Sequence, residues 1–157
     1  MATATLFGLG CDVVRMSRIR RIYTKFGDRF LQRAFHPDEI NIFHGMNTTK
    51  ANTNTKITPT PKQIEFLASR WAIKEAATKA FAQHRVAFPE MCVTKTTTSS
   101  TSIYNSLVPF RPTAVRPTLE FSPTVNVLCQ QLSITHTHVS LSHDEEYAYA
   151  AVVLERD

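Results

Sequence analysis

Four ionisable side chains lie inside an otherwise apolar stretch, and they are the first candidates for chemistry. The stretch is FLASRWAIKEAATKAF, residues 66–81, and its charged members are Arg70, Lys74, Glu75 and Lys79. At about 100° per residue, its apolar and small side chains cover most of the helix circumference, which is typical of a buried helix. A buried charge is costly unless it is paired, binds a metal or faces a polar ligand. The alternative is that Arg70 and Lys74 bend outward to water while Glu75 and Lys79 form an ordinary surface pair.

A carboxylate, Asp12, stands in an equally unusual place. The segment TLFGLGCDVV, residues 5–14, is predicted to be a β-strand, and Asp12 lies near its end. Gly8 and Gly10 in this strand allow another backbone or a ligand to approach closely. Asp12 has a catalytic interpretation and a structural one, as a helix cap or a satisfied turn residue. The strand pattern alone leaves both open.

The helix that carries the four charged residues has a clear N-terminal signal. Thr60 is predicted to cap it, Pro61 suits the first helical position, and Gln63 completes a capping box. No glycine or proline follows Pro61 before Pro89. The sequence therefore predicts one long central helix.

A short amphipathic helix is predicted after the first strand. Its apolar residues follow the i, i+3, i+4, i+7 spacing, with Ser17 as the expected N-cap and Gly27 at the C-terminal end. Its outer face is basic and contains no acidic residue; the basic side chains in and beside it are Arg15, Arg18, Arg20, Arg21 and Lys25. Such a face suits an acidic surface, although a charge run is often merely solvated.

Length and charge set the class of protein. The chain has 157 residues, of which 43% are apolar, and these values fit one globular domain spanning residues 1–157. Lysine and arginine number 18 against 13 aspartate and glutamate residues, a formal net charge of +5. The excess of basic residues suggests an acidic partner. Three kinds of partner fit: a phosphate-rich ligand, a nucleic acid or an acidic protein. Net charge does not choose among the three.

The cysteines and the hydropathy pattern point to a reducing compartment and away from a membrane. Cys11, Cys92 and Cys129 are three in number and far apart, so neither a disulfide framework nor a zinc knuckle is indicated. No apolar run is long enough to span a bilayer, and strand-like sequence begins by Leu6, which is expected to leave no room for a signal or transit peptide. We expect a soluble protein without a membrane partner.

The remaining segments predict an α+β fold with mostly antiparallel strands. Short helices are expected at 30–35, 37–43 and 125–132, strands at 91–95 and 116–121, and exposed loops at 45–59 and 96–102. The last two strands, at 138–142 and 147–154, are predicted to form a hairpin whose turn is His143–Glu146.

Three segments together resemble a known family. GLGCDVVRMSRI, FLASRWAIKEAATKAF and HVSLSHDEEYAYAAVVLER are similar to the successive motifs of the 4'-phosphopantetheinyl transferases, specifically the holo-[acyl-carrier-protein] synthase type. The resemblance spans nearly the whole chain. It implies a single domain in which a mostly antiparallel sheet packs on a long central helix.

The resemblance also implies an activity. Enzymes of this type transfer the phosphopantetheine arm of coenzyme A to a serine of an apo acyl carrier protein, release adenosine 3',5'-bisphosphate and require Mg²⁺. By the resemblance, Asp12 and Glu75 ligate Mg²⁺, and Lys79 binds the phosphate nearest the reaction. Lys74 and Arg70 bind the remaining charge of coenzyme A or form a structural pair. Glu75, or a metal-bound water that it orients, is the candidate base for the serine hydroxyl, so Glu75 and Lys79 are the expected catalytic residues.

Partners follow from the same resemblance. His143 is expected to bind a phosphate of coenzyme A, and Arg18 and Arg21 are expected to contact the acidic helix of the carrier protein. A homotrimer with active sites at subunit boundaries is implied. The chain departs from the bacterial pattern at Arg15, where a glutamate is common, and at AQHRVAFPE, which replaces a glycine-rich loop. These departures favour a mitochondrial over a cytoplasmic member.

Two other functional classes stay open on the sequence. A basic nucleic-acid-binding domain would account for the net charge of +5 and the arginine-rich helix. A phosphoesterase that hydrolyses its substrate would need only Asp12, Glu75 and Mg²⁺. We expect transfer and no nucleic-acid partner, because neither rival class accounts for all three motifs.

Overall fold

A computed structural model describes residues 4–46, 58–97 and 115–157. In chain order its elements are β1 (Thr5–Arg15), α1 (Met16–Phe26), α2 (Asp28–Ala34), α3 (Pro37–Gly45), α4 (Pro61–Ala80), a 3₁₀ turn (Phe88–Glu90), β2 (Met91–Thr97), β3 (Val115–Phe121), α5 (Pro123–Gln131), β4 (Ile134–Asp144) and β5 (Tyr147–Arg156). The α+β prediction is confirmed.

The strands form two antiparallel sheets. β1, β5 and β4 make a three-stranded sheet in that order, and β2 pairs with β3. One face of β5 is buried through its alternate residues, which are Ala148, Ala150, Val152 and Leu154. The long helix α4 packs on this face, and helices α1 to α3 close the core on its other side.

Helix α4 begins as its sequence predicts. The Thr60 hydroxyl accepts from the Gln63 amide at 3.2 Å, and the Gln63 side chain accepts from the Thr60 amide at 2.9 Å. This capping box satisfies donors that the first turn otherwise leaves free. The expectation of a helix buried nearly all round is also confirmed, because most of its residues are buried.

The two glycines of β1 explain how closely α4 lies on the sheet. A Cβ at Gly8 would stand 2.0 Å from the carbonyl oxygen of Ala80, and one at Gly10 would stand 1.9 Å from that of Ala76. Any side chain at either position would therefore push the helix away. Because side chains alternate along a strand, Asp12 is the next residue of β1 after Gly10 that faces the helix.

Several sequence-based details differ from the structure. Helix α1 begins at Met16 with Arg15 as its N-cap and no side-chain cap, so the prediction of Ser17 as the cap is wrong. His143 lies in β4, and the hairpin turn is confined to residues 145–146, because the strand pairing continues to Asp144 opposite Tyr147. Residues 96 and 97 extend β2, pairing with Arg116 and Val115.

The two predicted loops fall mostly outside the described residues. Residues 47–57 of the loop at 45–59 and residues 98–102 of the loop at 96–102 are not described, and Gly45 ends α3. In the described ranges, no helix is long and apolar enough to cross a membrane.

Candidate active site

Asp12 and Lys79 form the centre of the candidate active site. The Lys79 ammonium donates to Asp12 Oδ1 and to the carbonyl oxygen of Cys11, each at 2.8 Å. The Lys79 side chain is 51% exposed and that of Asp12 is 17% exposed, so the pair lies at the rim of the fold. Lys79 thus pairs with a distant carboxylate, and the alternative of an ordinary Glu75–Lys79 surface pair does not hold.

Glu75 is the third residue of the site and lies on α4, one helical turn before Lys79. It is half-buried, and burial is the main cause that raises the pKa of its carboxyl, with the neighbouring charge of Asp12 as the second cause. Lys79 and Arg18 act in the opposite direction on the same pKa. A raised pKa brings a carboxylate closer to the range in which it accepts a proton efficiently near neutral pH.

The ammonium of Lys79 is held in its charged form. Its hydrogen bond to Asp12 raises the pKa of Lys79, and the charge of Glu75 adds to this effect. Two carboxylates and one exposed ammonium therefore stand together on β1 and α4. Such a group can hold a divalent cation between its carboxylates and can contact a phosphate through the ammonium.

Lys74 and Arg70 do not join this group, because they surround a buried carboxylate, Glu39. Lys74 is fully buried, and its ammonium is in direct contact with Glu39 Oε2 and bonds the Ala34 carbonyl oxygen at 3.3 Å. Arg70 Nε lies 3.7 Å from Glu39 Oε1. The alternative left open by the sequence, in which both cations bend outward to water, is therefore excluded. Of the two roles that the sequence left for Lys74, the structure places it in the structural pair, where it has no access to a ligand.

Glu39 is the residue that sequence reasoning missed. Its side chain is completely buried, and besides pairing with Lys74 it accepts from the amides of His36 and Val93, each at 2.9 Å. The available signal was its position three residues after His36, the pattern of a capping box, together with two basic residues on α4 that needed a buried anion.

Arg70 and His143 share a crevice on the far side of α4. The crevice has a volume of about 590 Å³, and besides these two residues its lining includes Lys62, Glu65, Cys92 and Lys95. His143 Nε2 lies 3.5 Å from Glu65 Oε1. Glu65 precedes Glu75 by ten residues of α4, which is about 15 Å along a helix axis. Within a single copy of the chain, His143 therefore lies far from the group formed by Asp12, Glu75 and Lys79.

The basic face of α1 lies beside that group. Arg18 and Arg21 are exposed, and in the described parts of the chain neither has a carboxylate partner. Arg15 is bound to Glu146 at 2.6 Å, and Arg20 donates to the carbonyl oxygen of Pro59 at 3.0 Å. The effect of Arg18 on the pKa of Glu75 shows that the basic face reaches the candidate active site.

An apolar groove adjoins the same helix. Its volume is about 480 Å³, and it runs between α1, α2 and α4 with two arginines among its lining residues, which are Ile22, Phe26, Arg29, Phe30, Arg33, Ala34, Trp71 and Phe88. An apolar floor with cationic side chains at its edge has the composition expected of a surface for an acidic amphipathic helix.

Comparison with known proteins assigns the chain to a family. The model of the 4'-phosphopantetheinyl transferase superfamily matches residues 8–152, a span that includes Asp12, Glu75, Lys79 and His143. The chain belongs to this superfamily. A holo-[acyl-carrier-protein] synthase from Salmonella arizonae is 30% identical over 150 residues, which are 96% of this chain and 94% of the relative. One from Koribacter versatilis is 32% identical, with 96% and 98% covered.

Solved structures share the fold. The holo-[acyl-carrier-protein] synthase of Neisseria meningitidis superposes with a TM-score of 0.73 at 24% identity, covering 97% of this chain and 100% of that one. The Bacillus anthracis synthase in complex with coenzyme A (3',5'-ADP) superposes with a TM-score of 0.64 at 25% identity, covering 97% and 98%. These relatives are bacterial and give no support to a mitochondrial location, which stays a prediction.

Proposed function

We propose that this protein transfers the 4'-phosphopantetheine arm of coenzyme A to a serine of an apo acyl carrier protein. The observation that carries the proposal is the convergence of Asp12, Glu75 and Lys79, on two elements, in a chain of this superfamily. Relatives at 30% and 32% identity over 96% of the chain are holo-[acyl-carrier-protein] synthases. The solved structure with bound coenzyme A supports coenzyme A as the donor.

The donor set fits Mg²⁺. Asp12 and Glu75 offer carboxylate oxygens, which Mg²⁺ prefers, and they are close enough for the charge of Asp12 to raise the pKa of Glu75. A cation bound between the two carboxylates would relieve the repulsion between them. When bound there, Mg²⁺ would neutralise charge on the pyrophosphate of coenzyme A. Lys79 adds a positive charge beside Asp12.

Lys79 and Glu75 have different roles in the transfer step. Lys79 is 51% exposed and can turn its ammonium from Asp12 to a phosphate oxygen, which places positive charge where the leaving group gains negative charge. Glu75 accepts the proton of the serine hydroxyl as the serine oxygen bonds to phosphorus. The phosphorus–oxygen bond of the pyrophosphate breaks, and adenosine 3',5'-bisphosphate leaves with the electron pair.

The carrier protein would dock on α1 and the groove next to it. An acidic helix can place its carboxylates on Arg18 and Arg21 while its apolar stripe enters the groove lined by Phe26, Phe30 and Trp71. Since Arg18 also acts on Glu75, a helix bound here would bring its neighbouring serine to the catalytic carboxylate.

Charge reversal on α1 tests this docking surface. In Arg18→Glu/Arg21→Glu we expect KM for the carrier protein to rise about tenfold or more at an unchanged KM for coenzyme A, because the two arginines guide encounter with an acidic surface. Added salt should reproduce part of the effect on the wild-type protein. Steady-state kinetics with each substrate varied in turn provides the measurement.

The control variant makes the same change of net charge at two arginines that lie outside α1. Arg116→Glu/Arg156→Glu alters two exposed arginines of β3 and β5 and should leave both KM values near those of the wild type. Arg21→Glu alone separates docking from catalysis, because Arg18 but not Arg21 affects the pKa of Glu75. Equal rises in both KM values would contradict a carrier-specific surface.

The separation of His143 from Asp12 supports the homotrimer that the family resemblance implies. In a trimer, the crevice holding Arg70 and His143 in one copy would face the Asp12–Glu75–Lys79 group of the next, and coenzyme A would contact both. The outer face of the three-stranded sheet supplies a surface for this contact, since large apolar side chains are exposed on it: Leu6, Leu9, Val13, Tyr147 and Tyr149. Burying such a patch between copies is favourable.

One assay tests the proposed reaction. The protein is mixed with Mg²⁺, coenzyme A and an apo carrier protein, and the carrier is followed by mass spectrometry. We expect its mass to rise by one phosphopantetheine arm in step with release of adenosine 3',5'-bisphosphate. A carrier whose target serine is replaced by alanine is the control and should stay unmodified. Release of the bisphosphate without a modified carrier would instead identify a hydrolase.

A further inference from the structure

A second group of metal-ligating side chains lies apart from the candidate active site, at the start of α3 and of β2. It consists of His36, Asp38 and Cys92, whose ligand atoms all lie within 4.8 Å of one another. His36 Nδ1 and the Asp38 carboxylate are 3.4 Å apart. Around a tetrahedral zinc ion, ligand atoms stand about 3.3–3.8 Å from each other. The His36–Asp38 pair already has this spacing, and Cys92 lies close enough to complete the group.

Each of the three side chains can supply a donor atom to a metal. The Asp38 amide donates to His36 Nδ1 at 3.3 Å, so this nitrogen carries a lone pair, and a metal bound there would replace that long hydrogen bond. Cys92 is buried, and a metal that binds its sulfur displaces the thiol proton. A thiolate and a carboxylate together would balance the charge of a divalent cation.

Glu39 holds the two sides of this group in place. Its two carboxylate oxygens accept from the amides of His36 and of Val93, the residue next to Cys92. The same carboxylate is paired with Lys74, so it cannot move toward the group without losing a buried ion pair. The backbone on both sides of the group is therefore anchored on one rigid residue, and such support is what a preorganised metal site requires.

We propose that His36, Asp38 and Cys92 bind a zinc ion, in a site separate from the Asp12–Glu75 pair. Imidazole, carboxylate and thiolate are each zinc donors, and the thiolate disfavours Mg²⁺. Asp38 and Cys92 also line the crevice, which gives an ion access to the group. The ion connects the N-terminus of α3 to β2, so it stabilises the fold between them.

Cobalt substitution tests the site through its thiolate. Co²⁺ is titrated into the full chain, and thiolate-to-cobalt charge-transfer absorption is recorded. We expect this absorption in the wild type, its removal by added Zn²⁺, and no removal by excess Mg²⁺. Cys92→Ser should lose the absorption. Cys11→Ser should retain it, since Cys11 is an exposed thiol outside the group.

A second variant covers the case in which Cys92→Ser folds poorly. His36→Asn keeps an N-cap acceptor for α3 but removes the imidazole, and it should weaken Co²⁺ binding at least tenfold. Zn²⁺ should raise the thermal unfolding temperature of the wild type and not that of His36→Asn. Absence of the absorption in the wild type, or the same Co²⁺ affinity in His36→Asn, would overturn the proposal.

Discussion

Alanine in place of Asp12 or Glu75 is expected to abolish carrier modification while the protein stays folded. Loss of a general base costs about 10²–10⁴ in rate, and loss of a metal ligand weakens the cation that neutralises the pyrophosphate. The fold should tolerate both changes. Asp12 pairs with an ammonium that is 51% exposed and can be solvated instead, and burial disfavours the charged form of Glu75.

The two alanine variants should differ in their response to Mg²⁺. Asp12 acts as a ligand that water can replace at some loss of affinity, so excess Mg²⁺ should partly restore transfer by Asp12→Ala. Glu75 is proposed to bind the cation and also accept the serine proton, so Glu75→Ala should resist rescue. Transfer rates measured across a Mg²⁺ titration decide between these outcomes.

A remote carboxylate serves as the control for this pair. Asp157→Ala removes an exposed carboxylate at the end of the chain and should match the wild type in rate and in Mg²⁺ dependence. Near-normal turnover and metal affinity in Asp12→Ala would refute its assignment as a ligand. Full rescue of Glu75→Ala would remove only its role as the base.

Lys74→Met should destabilise the fold by about 3–5 kcal/mol, the cost of leaving a buried partner charge uncompensated. Lys74 and Glu39 are both completely buried, and Arg70 Nε, at 3.7 Å from Glu39, is too far to replace the direct contact. Urea unfolding followed by circular dichroism provides the free energy of unfolding. A second substitution, Glu39→Gln, should recover part of the loss, because it removes the unpaired charge and keeps one acceptor oxygen.

Lys79→Met is the matched control, since it makes the same change five residues later on the same helix. Its ammonium is exposed, so the free energy of unfolding should change by no more than about 0.5 kcal/mol. Transfer should instead fall sharply, because the phosphate loses its cation. If Lys74→Met left stability unchanged and raised KM for coenzyme A, Lys74 would be a ligand-binding residue and the structural assignment would fail.

Local sequence signals were sufficient for the elements that position the site. Thr60, Pro61 and Gln63 predict the start of α4 because a capping box depends on residues three positions apart. Gly8 and Gly10 indicated a close approach to β1, and the structure identifies the approaching backbone as that of α4. The three motifs identified the superfamily, which the family match over residues 8–152 confirms.

The partners of the four charges on α4 were decided only by the tertiary structure. Helical periodicity placed Arg70, Lys74, Glu75 and Lys79 on a mostly apolar helix, but a helical wheel carries no information about what packs against each face. Lys74 meets Glu39, 35 residues earlier, and Lys79 meets Asp12, 67 residues earlier. These pairs depend on how α3 and β1 are placed against the helix, and that placement results from packing across the whole core. Of the two lysines on α4, Lys74 therefore forms a buried structural ion pair. Lys79 stays at the surface, beside Asp12 and Glu75.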